Sequence, residues 1–222
     1  MTEQFTGQLT GRLTGWKHVI WDLDGTLLDT YPATDGALAA ALSGLGREVS
    51  LDTVRRLTRI TLDHAVRTLA AQSGLSEAEI YFSYEQHYAV LGLNHSPAMP
   101  GALEAMKAVR TRGGLNLLAT HRDRGGAMWR LKAACLDAEI DDLLCVSDGY
   151  PRKPHPALFL ALLERHNLNP AEVLAVGDRN LDIVAAHSAG CRAALLLTPG
   201  VTLDTEADWV LGELGELFGL TP

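Results

Sequence analysis

The chain has 222 residues, 47% of them hydrophobic and 21% charged, the balance of a soluble globular protein with one large domain or one domain carrying an insertion. Nineteen Lys and Arg against 27 Asp and Glu give a formal net charge of −8, the wrong sign for a general nucleic-acid binder, though a local phosphate site stays open. The three cysteines, Cys135, Cys145 and Cys191, form no C-x-x-C, the eight histidines show no metal-ligand spacing, and no apolar run approaches the ~20 residues of a membrane span. A cytoplasmic protein with reduced thiols and no membrane contact is expected.

Residues 1–16 are polar, lack the apolar segment of a secretory signal and repeat a short Thr-Gly step; they read as a mobile N-terminal extension. His18-Val19-Ile20-Trp21 is an apolar run that stops at Asp22, the pattern of a buried strand. From Pro32 to Pro97 only helical patterns follow, over 34–45, 51–57, 63–73 and 76–91, with Ser76 and Glu79 spaced as a capping box. Gly44-Leu45-Gly46 follows a helix and reads as a helix stop rather than a phosphate loop. After Pro100 the periods alternate. Apolar runs at 115–119, 142–146, 173–176, 193–197 and, weakly, 209–211 are separated by helical patterns at 100–112, 127–136, 157–166 and 181–189. Strand-helix alternation with short links predicts an α/β protein with a parallel sheet covered on both faces. The helical stretch after the first strand reads as a module inserted into that domain, hinged at Pro32 and at 94–100.

Open parallel sheets bind ligands beyond the carboxyl ends of their strands. The residues that end the apolar runs therefore belong together: Asp22-Leu23-Asp24-Gly25-Thr26, then Thr120-His121, Arg152-Lys153-Pro154, and Gly177-Asp178-Arg179-Asn180-Leu181-Asp182. Carboxylates with a lysine and a hydroxyl suit a phosphate and a hard cation, because Mg²⁺ takes oxygen ligands and keeps several waters. Alternate residues of an extended segment share a direction, so Asp22 and Asp24 can address one site. One carboxylate can attack phosphorus to form an aspartyl-phosphate, and the other can act as general acid and base, a role worth ~10²–10⁴-fold. Taken alone, Asp-x-Asp-Gly also serves as a plain turn.

The segment Asp22-Leu23-Asp24-Gly25-Thr26-Leu27 resembles the first signature of the haloacid dehalogenase superfamily in its phosphatase branch. Thr120, Lys153, and Gly177-Asp178 with Asp182 match the other three signatures in order, and the overall cast is similar to phosphoglycolate-phosphatase-like and β-phosphoglucomutase-like members. The resemblance implies a Rossmann-like core, residues 17–31 and 98–222, carrying an all-helical cap at 32–97. It makes Asp22 the nucleophile and a Mg²⁺ ligand, and Asp24 the acid/base whose backbone carbonyl also binds the metal. Asp178 would complete the metal shell, Thr120 hold the phosphoryl oxygens, Lys153 offset the charge of phosphate and nucleophile, and Asp182 orient a metal-bound water or Lys153.

His121 is open between a phosphate or substrate donor and a solvent-facing helix start, and Arg152 reads as a surface arginine. Arg59, Thr61 and His64 fall where two cap helices meet, a place that in this family faces substrate, although a solvated helix face has the same pattern. The expected protein is a monomeric, Mg²⁺-dependent phosphatase that hydrolyses a small phosphorylated metabolite. Two alternatives are a phosphomutase of the β-phosphoglucomutase type and a receiver-like phospho-signalling domain, which would carry its Asp after a middle strand and span about half this length.

Overall fold

The computed structural model describes residues 15–91, 96–198 and 205–218; most of the expected N-terminal extension lies outside them. Six strands, β1 (His18–Trp21), β2 (Asn116–Ala119), β3 (Asp142–Leu144), β4 (Val173–Gly177), β5 (Arg192–Leu196) and β6 (Trp209–Leu211), form one parallel sheet in the order β3-β2-β1-β4-β5-β6. The winding reverses between β1 and β4, and a reversal opens a crevice beyond the strand ends. The first and fourth signature segments leave the sheet on either side of that crevice.

Side chains alternate across the strands. Val19, Trp21, Leu118 and Val176 pack on one face, and Ile20, Leu117, Ala175 and Leu195 on the other. Because both faces are buried, these strands read as continuous apolar runs, which is why they are legible in the sequence. Helices α5 (Ala102–Thr111) and α6 (Arg124–Ala133) cover the first face, and α7 (Ala157–Arg165) and α8 (Asn180–Ser188) the second. The buried Asn116 is fully used: its Oδ1 accepts from Trp21 Nε1 at 2.9 Å and its Nδ2 donates to the Met106 carbonyl at 2.9 Å.

Four helices stand between β1 and α5: α1 (Tyr31–Gly44), α2 (Leu51–Thr58), α3 (Leu62–Ser73) and α4 (Glu77–Leu91). They enclose their own core around Leu38, Leu42, Val54, Val66, Leu69 and Ile80. The capping box is present, with Glu79 N donating to Ser76 Oγ at 3.2 Å and Ser76 N to Glu79 Oε2 at 2.9 Å. Pro32, expected at a hinge, instead sits in the first turn of α1, where its fixed φ suits the helix. The chain passes to and from the helices through two adjacent segments, joined by Asp29 N to Pro97 O at 2.9 Å and Met99 N to Leu27 O at 2.8 Å. Helix α6 starts three residues before its expected position. Asp123 caps it by accepting from Gly126 N at 2.8 Å, and Gly125-Gly126 in the first turn hides the apolar period there.

Candidate active site

Asp22 leaves β1 with its N–H donating to the Val176 carbonyl at 2.8 Å, so strand pairing carries it to the crevice. Gly25 then turns the chain at φ +80°, and a Cβ there would collide with Tyr31 and the Asp178 carboxylate. The loop after β3 sends Lys153 back beneath the sheet edge, 4% exposed. Its Nζ donates to Asp22 Oδ1 at 2.7 Å, to Asp182 Oδ1 at 2.5 Å and to the Ala119 carbonyl at 2.9 Å. Asp182, in the first turn of α8, also accepts from Arg179 N at 3.2 Å. Asp178 directly follows β4 and accepts hydrogen bonds from the Tyr31 hydroxyl of α1 and, at 3.5 Å, from the fully buried Thr26 Oγ1.

The electrostatics follow from crowding. Burial raises the Asp178 pKa to about 7; Asp22 and Asp182 add to the rise, while Arg179 and the Tyr31 hydroxyl oppose it. Burial also raises Asp22 against the attraction of Lys153. Burial pulls the Lys153 pKa down, but Asp182 and Asp22 outweigh it and hold the ammonium above its ordinary value. Asp24 goes the other way. Burial would raise it, yet Arg122 Nε and Nη2, at 2.8 and 2.7 Å from Asp24 Oδ1, bring it below the usual range.

Carboxylate oxygens of Asp22, Asp178 and Asp182 lie within 4.8 Å of one another. Asp22 Oδ2 is buried with no hydrogen-bond partner; Arg179 Nη2 stands 3.6 Å from it, while Arg179 Nε lies 3.8 Å from Asp178 Oδ1. Three carboxylates face two cations, Lys153 and Arg179. An orphaned oxygen and one surplus negative charge fit a hard divalent ion, which would also draw the raised Asp178 back to its ionised form.

Thr120 is fully buried at the end of β2, where its N–H pairs with the Leu144 carbonyl. Its Oγ1 accepts from Arg122 N at 3.2 Å, which leaves the O–H to donate. His121 Nε2 accepts the Lys153 N–H at 2.9 Å and so joins the second and third signature loops. Burial, then the Lys153 ammonium, lowers the His121 pKa to about 4. The unfolded chain takes up this proton near 6.5 and the folded one near 4, so the stability that neutral His121 supplies is present above ~6.5 and lost as pH falls toward 4. His121→Gln, which can still accept but cannot titrate, should remove this part of the acid sensitivity. Between pH 7.5 and 4.5 the wild-type chain should lose about 1–2 kcal/mol more than the variant in urea unfolding, after discounting for partial exposure. Parallel pH profiles would contradict the assignment.

The expected cap residues separate. Arg59 caps the end of α2, is 8% exposed, and grips both oxygens of Asp35 at 3.0 and 2.9 Å, with its guanidinium 3.6 Å over the Tyr31 ring. With Tyr31, Arg55 and Gly25 it borders a cavity of about 820 Å³ between cap and core. Thr61 and His64 do not border it. Thr61 Oγ1 accepts the His64 N–H at 2.9 Å and starts α3, and the His64 ring meets Thr68 Oγ1 at 3.5 Å. Their polar spacing is that of an N-cap, which resembles a polar binding face when read along the sequence. Arg152 is exposed.

Four neighbours of the signature residues were not anticipated: Tyr31, Tyr88, Arg122 and Arg179. Arg179 lies inside the fourth signature and Arg122 two residues after Thr120, so position alone could have flagged them. The two tyrosines come from cap helices and carry no local signal.

Residues 19–196 match the family model for haloacid dehalogenase-like hydrolases. A phosphoglycolate phosphatase of Mannheimia succiniciproducens is 29% identical over 91% of this chain and 97% of its own length. A Haemophilus somnus 129PT crystal structure described as a predicted phosphoglycolate phosphatase superposes with a TM-score of 0.78 at 26% identity, over 94% of this chain and 99% of the other. A Thermotoga maritima structure whose description names β-phosphoglucomutase shares the fold, with a TM-score of 0.75 at 23% identity, over 92% of this chain and 98% of the other.

Proposed function

Since the chain belongs to the haloacid dehalogenase-like hydrolases and is a phosphatase, we propose that it hydrolyses a small phosphorylated metabolite by two-step transfer through Asp22. The observation that carries this reading is the pairing of roles on one carboxylate. Asp22 Oδ1 is fixed by Lys153, while Oδ2 is buried at the crevice without a hydrogen bond. Oδ2 is the attacking atom. As its bond to phosphorus forms, the bond to the leaving oxygen breaks, and Asp24, which takes a proton from solvent once Arg122 no longer holds it ionised, passes that proton to the leaving oxygen. Water then attacks the aspartyl-phosphate, gives its proton to Asp24, and releases phosphate with Asp22 restored. Thr120 O–H holds a phosphoryl oxygen, the Lys153 ammonium, its three donors already taken, offsets the charge of nucleophile and phosphate through space, and neutral His121 keeps the Lys153 loop in register.

Asp22, Asp178 and the backbone carbonyl of Asp24 would hold Mg²⁺, which when bound neutralises charge on the phosphoryl group. Asp182 fixes Lys153 from the far side. Among the described residues no helix is long and apolar enough to cross a membrane, and we place the enzyme in the cytoplasm, acting as a monomer. A receiver-like role is set aside because the site Asp follows β1 and the four-helix module comes directly after it.

The test is phosphate release by the full chain from p-nitrophenyl phosphate and a panel of small phosphorylated metabolites. The relatives named as phosphoglycolate phosphatases make 2-phosphoglycolate the first of these. Release should fall on the order of 10²-fold or more with chelator and return with Mg²⁺, since such an ion contributes several kcal/mol. Release indifferent to chelator would refute the metal assignment. Interconversion of sugar phosphates without accumulation of phosphate would favour the mutase.

A further inference from the structure

On the leaving-group side of Asp24 the positive charge exceeds the negative. Arg122 spends two donors on Asp24 Oδ1, and its Nη2 also donates to the Tyr88 hydroxyl of α4 at 3.0 Å. That same hydroxyl accepts from Arg130 Nη2 at 3.3 Å. Arg130 sits on α6 and is 7% exposed. Among the described residues its only other hydrogen-bond acceptor is the Gly126 carbonyl, at 3.2 Å, and its Nε is buried with no partner. Two guanidinium groups therefore share one phenol oxygen and one carboxylate.

Leaving a buried arginine without a counter-ion costs several kcal/mol, and its planar fork is built for a carboxylate or a phosphate. Of the three arginines that line the 820 Å³ cavity, Arg59 is matched by Asp35 and Arg55 by Asp52, while Arg56 is exposed to solvent and donates to Thr53 Oγ1. Among the described residues, the buried arginine with no carboxylate partner is Arg130, at the seam where Tyr88 of α4 meets Arg122 and Arg130.

We propose that Arg122 and Arg130, with the Tyr88 hydroxyl, form the subsite for a carboxylate on the leaving group, and that filling it frees Asp24 from Arg122. This rests on the phosphatase mechanism above. Asp24 serves the leaving oxygen only when its Oδ1 is not held by two guanidinium donors. Arg122 already grips a carboxylate here, so a substrate carboxylate a few bonds from the leaving oxygen can take that place. The exchange gives Arg130 its missing anion and aims Asp24 at the bond being broken. Specificity and acid/base chemistry are then one event: Arg122 exchanges Asp24 for the substrate carboxylate, Arg130 is a specificity residue, and Tyr88 positions the two guanidinium groups.

Two substrates differing in one group test it: 2-phosphoglycolate and 2-hydroxyethyl phosphate, with Mg²⁺ present. The wild-type chain should show a higher kcat/KM for the carboxylate substrate by on the order of 10²-fold, the worth of charge-assisted hydrogen bonds. Arg130→Met should cut that ratio at least ~10-fold. The ratio cancels the active fraction, so a partly unfolded preparation does not obscure the result. Arg122→Met should lower the ratio as well, and should turn over 2-hydroxyethyl phosphate faster than wild type because Asp24 is no longer held, which a purely structural role would not do. An unchanged ratio in Arg130→Met, or equal losses on both substrates in Arg122→Met, would overturn the proposal. Hydrolysis of both substrates by wild type without preference would overturn it too while leaving the phosphatase reading intact. No release from any phosphomonoester would sink that reading itself.

Discussion

Replacing Asp22 by asparagine is expected to lower phosphate release by ~10⁴-fold or more while the protein stays folded, because the variant keeps the shape and loses the nucleophile. The amide oxygen can still accept from Lys153 Nζ, now 2.7 Å from Asp22 Oδ1. What disappears is the ionised Oδ2 facing the crevice. Stability should move the opposite way from activity. Asp22 and Asp178 both have pKa values raised by burial and by neighbouring carboxylates. A carboxyl with a raised folded pKa adds stability that is complete below the unfolded value near 4 and is lost as pH rises through the folded value, about 7 for Asp178. In chelator, the cluster is therefore at its least favourable at neutral pH and above. A neutral residue at 22 relieves it, so Asp22→Asn should melt at the same temperature as wild type or higher. Phosphate release and thermal melting on one preparation check both halves. Retained activity would end the proposed mechanism, and a clearly lower melting temperature would contradict the charge account.

The second large effect is expected at Lys153. Methionine at this position keeps the stem and deletes the ammonium that holds Asp22 and Asp182 at 2.7 and 2.5 Å. Two carboxylates, each about 2% exposed at the side chain, would then face each other with Arg179 as the remaining nearby cation. Removing one partner from a buried ionic group costs about 3–5 kcal/mol, because the remaining charges have no route to water. Activity should be lost as well. The double variant Lys153→Met with Asp182→Asn separates the two effects. It removes a negative charge along with the positive one, and should recover much of the stability but none of the activity. Urea unfolding of the four proteins in the cycle measures the coupling. If the double variant is no more stable than Lys153→Met alone, Asp182 is not the counter-ion assigned here.

The signature residues were legible because each stands where an apolar run stops. In a parallel sheet those stops line one edge, so Asp22, Thr120 and Asp178 meet although nearly a hundred residues separate the first two. No role for Arg122 or Arg179 is legible in the sequence, because no periodicity sets an active-site arginine apart from a surface one. For Thr61 and His64 the sequence leaves a substrate-facing position and a solvated helix face open, because helix capping uses the same polar spacing as a polar binding face. The start of α6 was misplaced because two glycines have no side chain to show a period.

By itself, the sequence determined the parallel α/β core, the helical insertion after β1, and the acids, hydroxyl and lysine assigned to phosphate chemistry. Each of these follows from a local rule, either the burial period of an element or the residue type at its end. Only the tertiary structure decided the partners: that Lys153 bridges Asp22 and Asp182, that Arg122 and not solvent holds Asp24, and that Tyr31 and Tyr88 carry cap helices onto Asp178 and onto two core arginines. Ionic and hydrogen-bond pairing depends on distance in space, and between residues 24 and 122 or 31 and 178 that distance exists only after the chain has closed on itself.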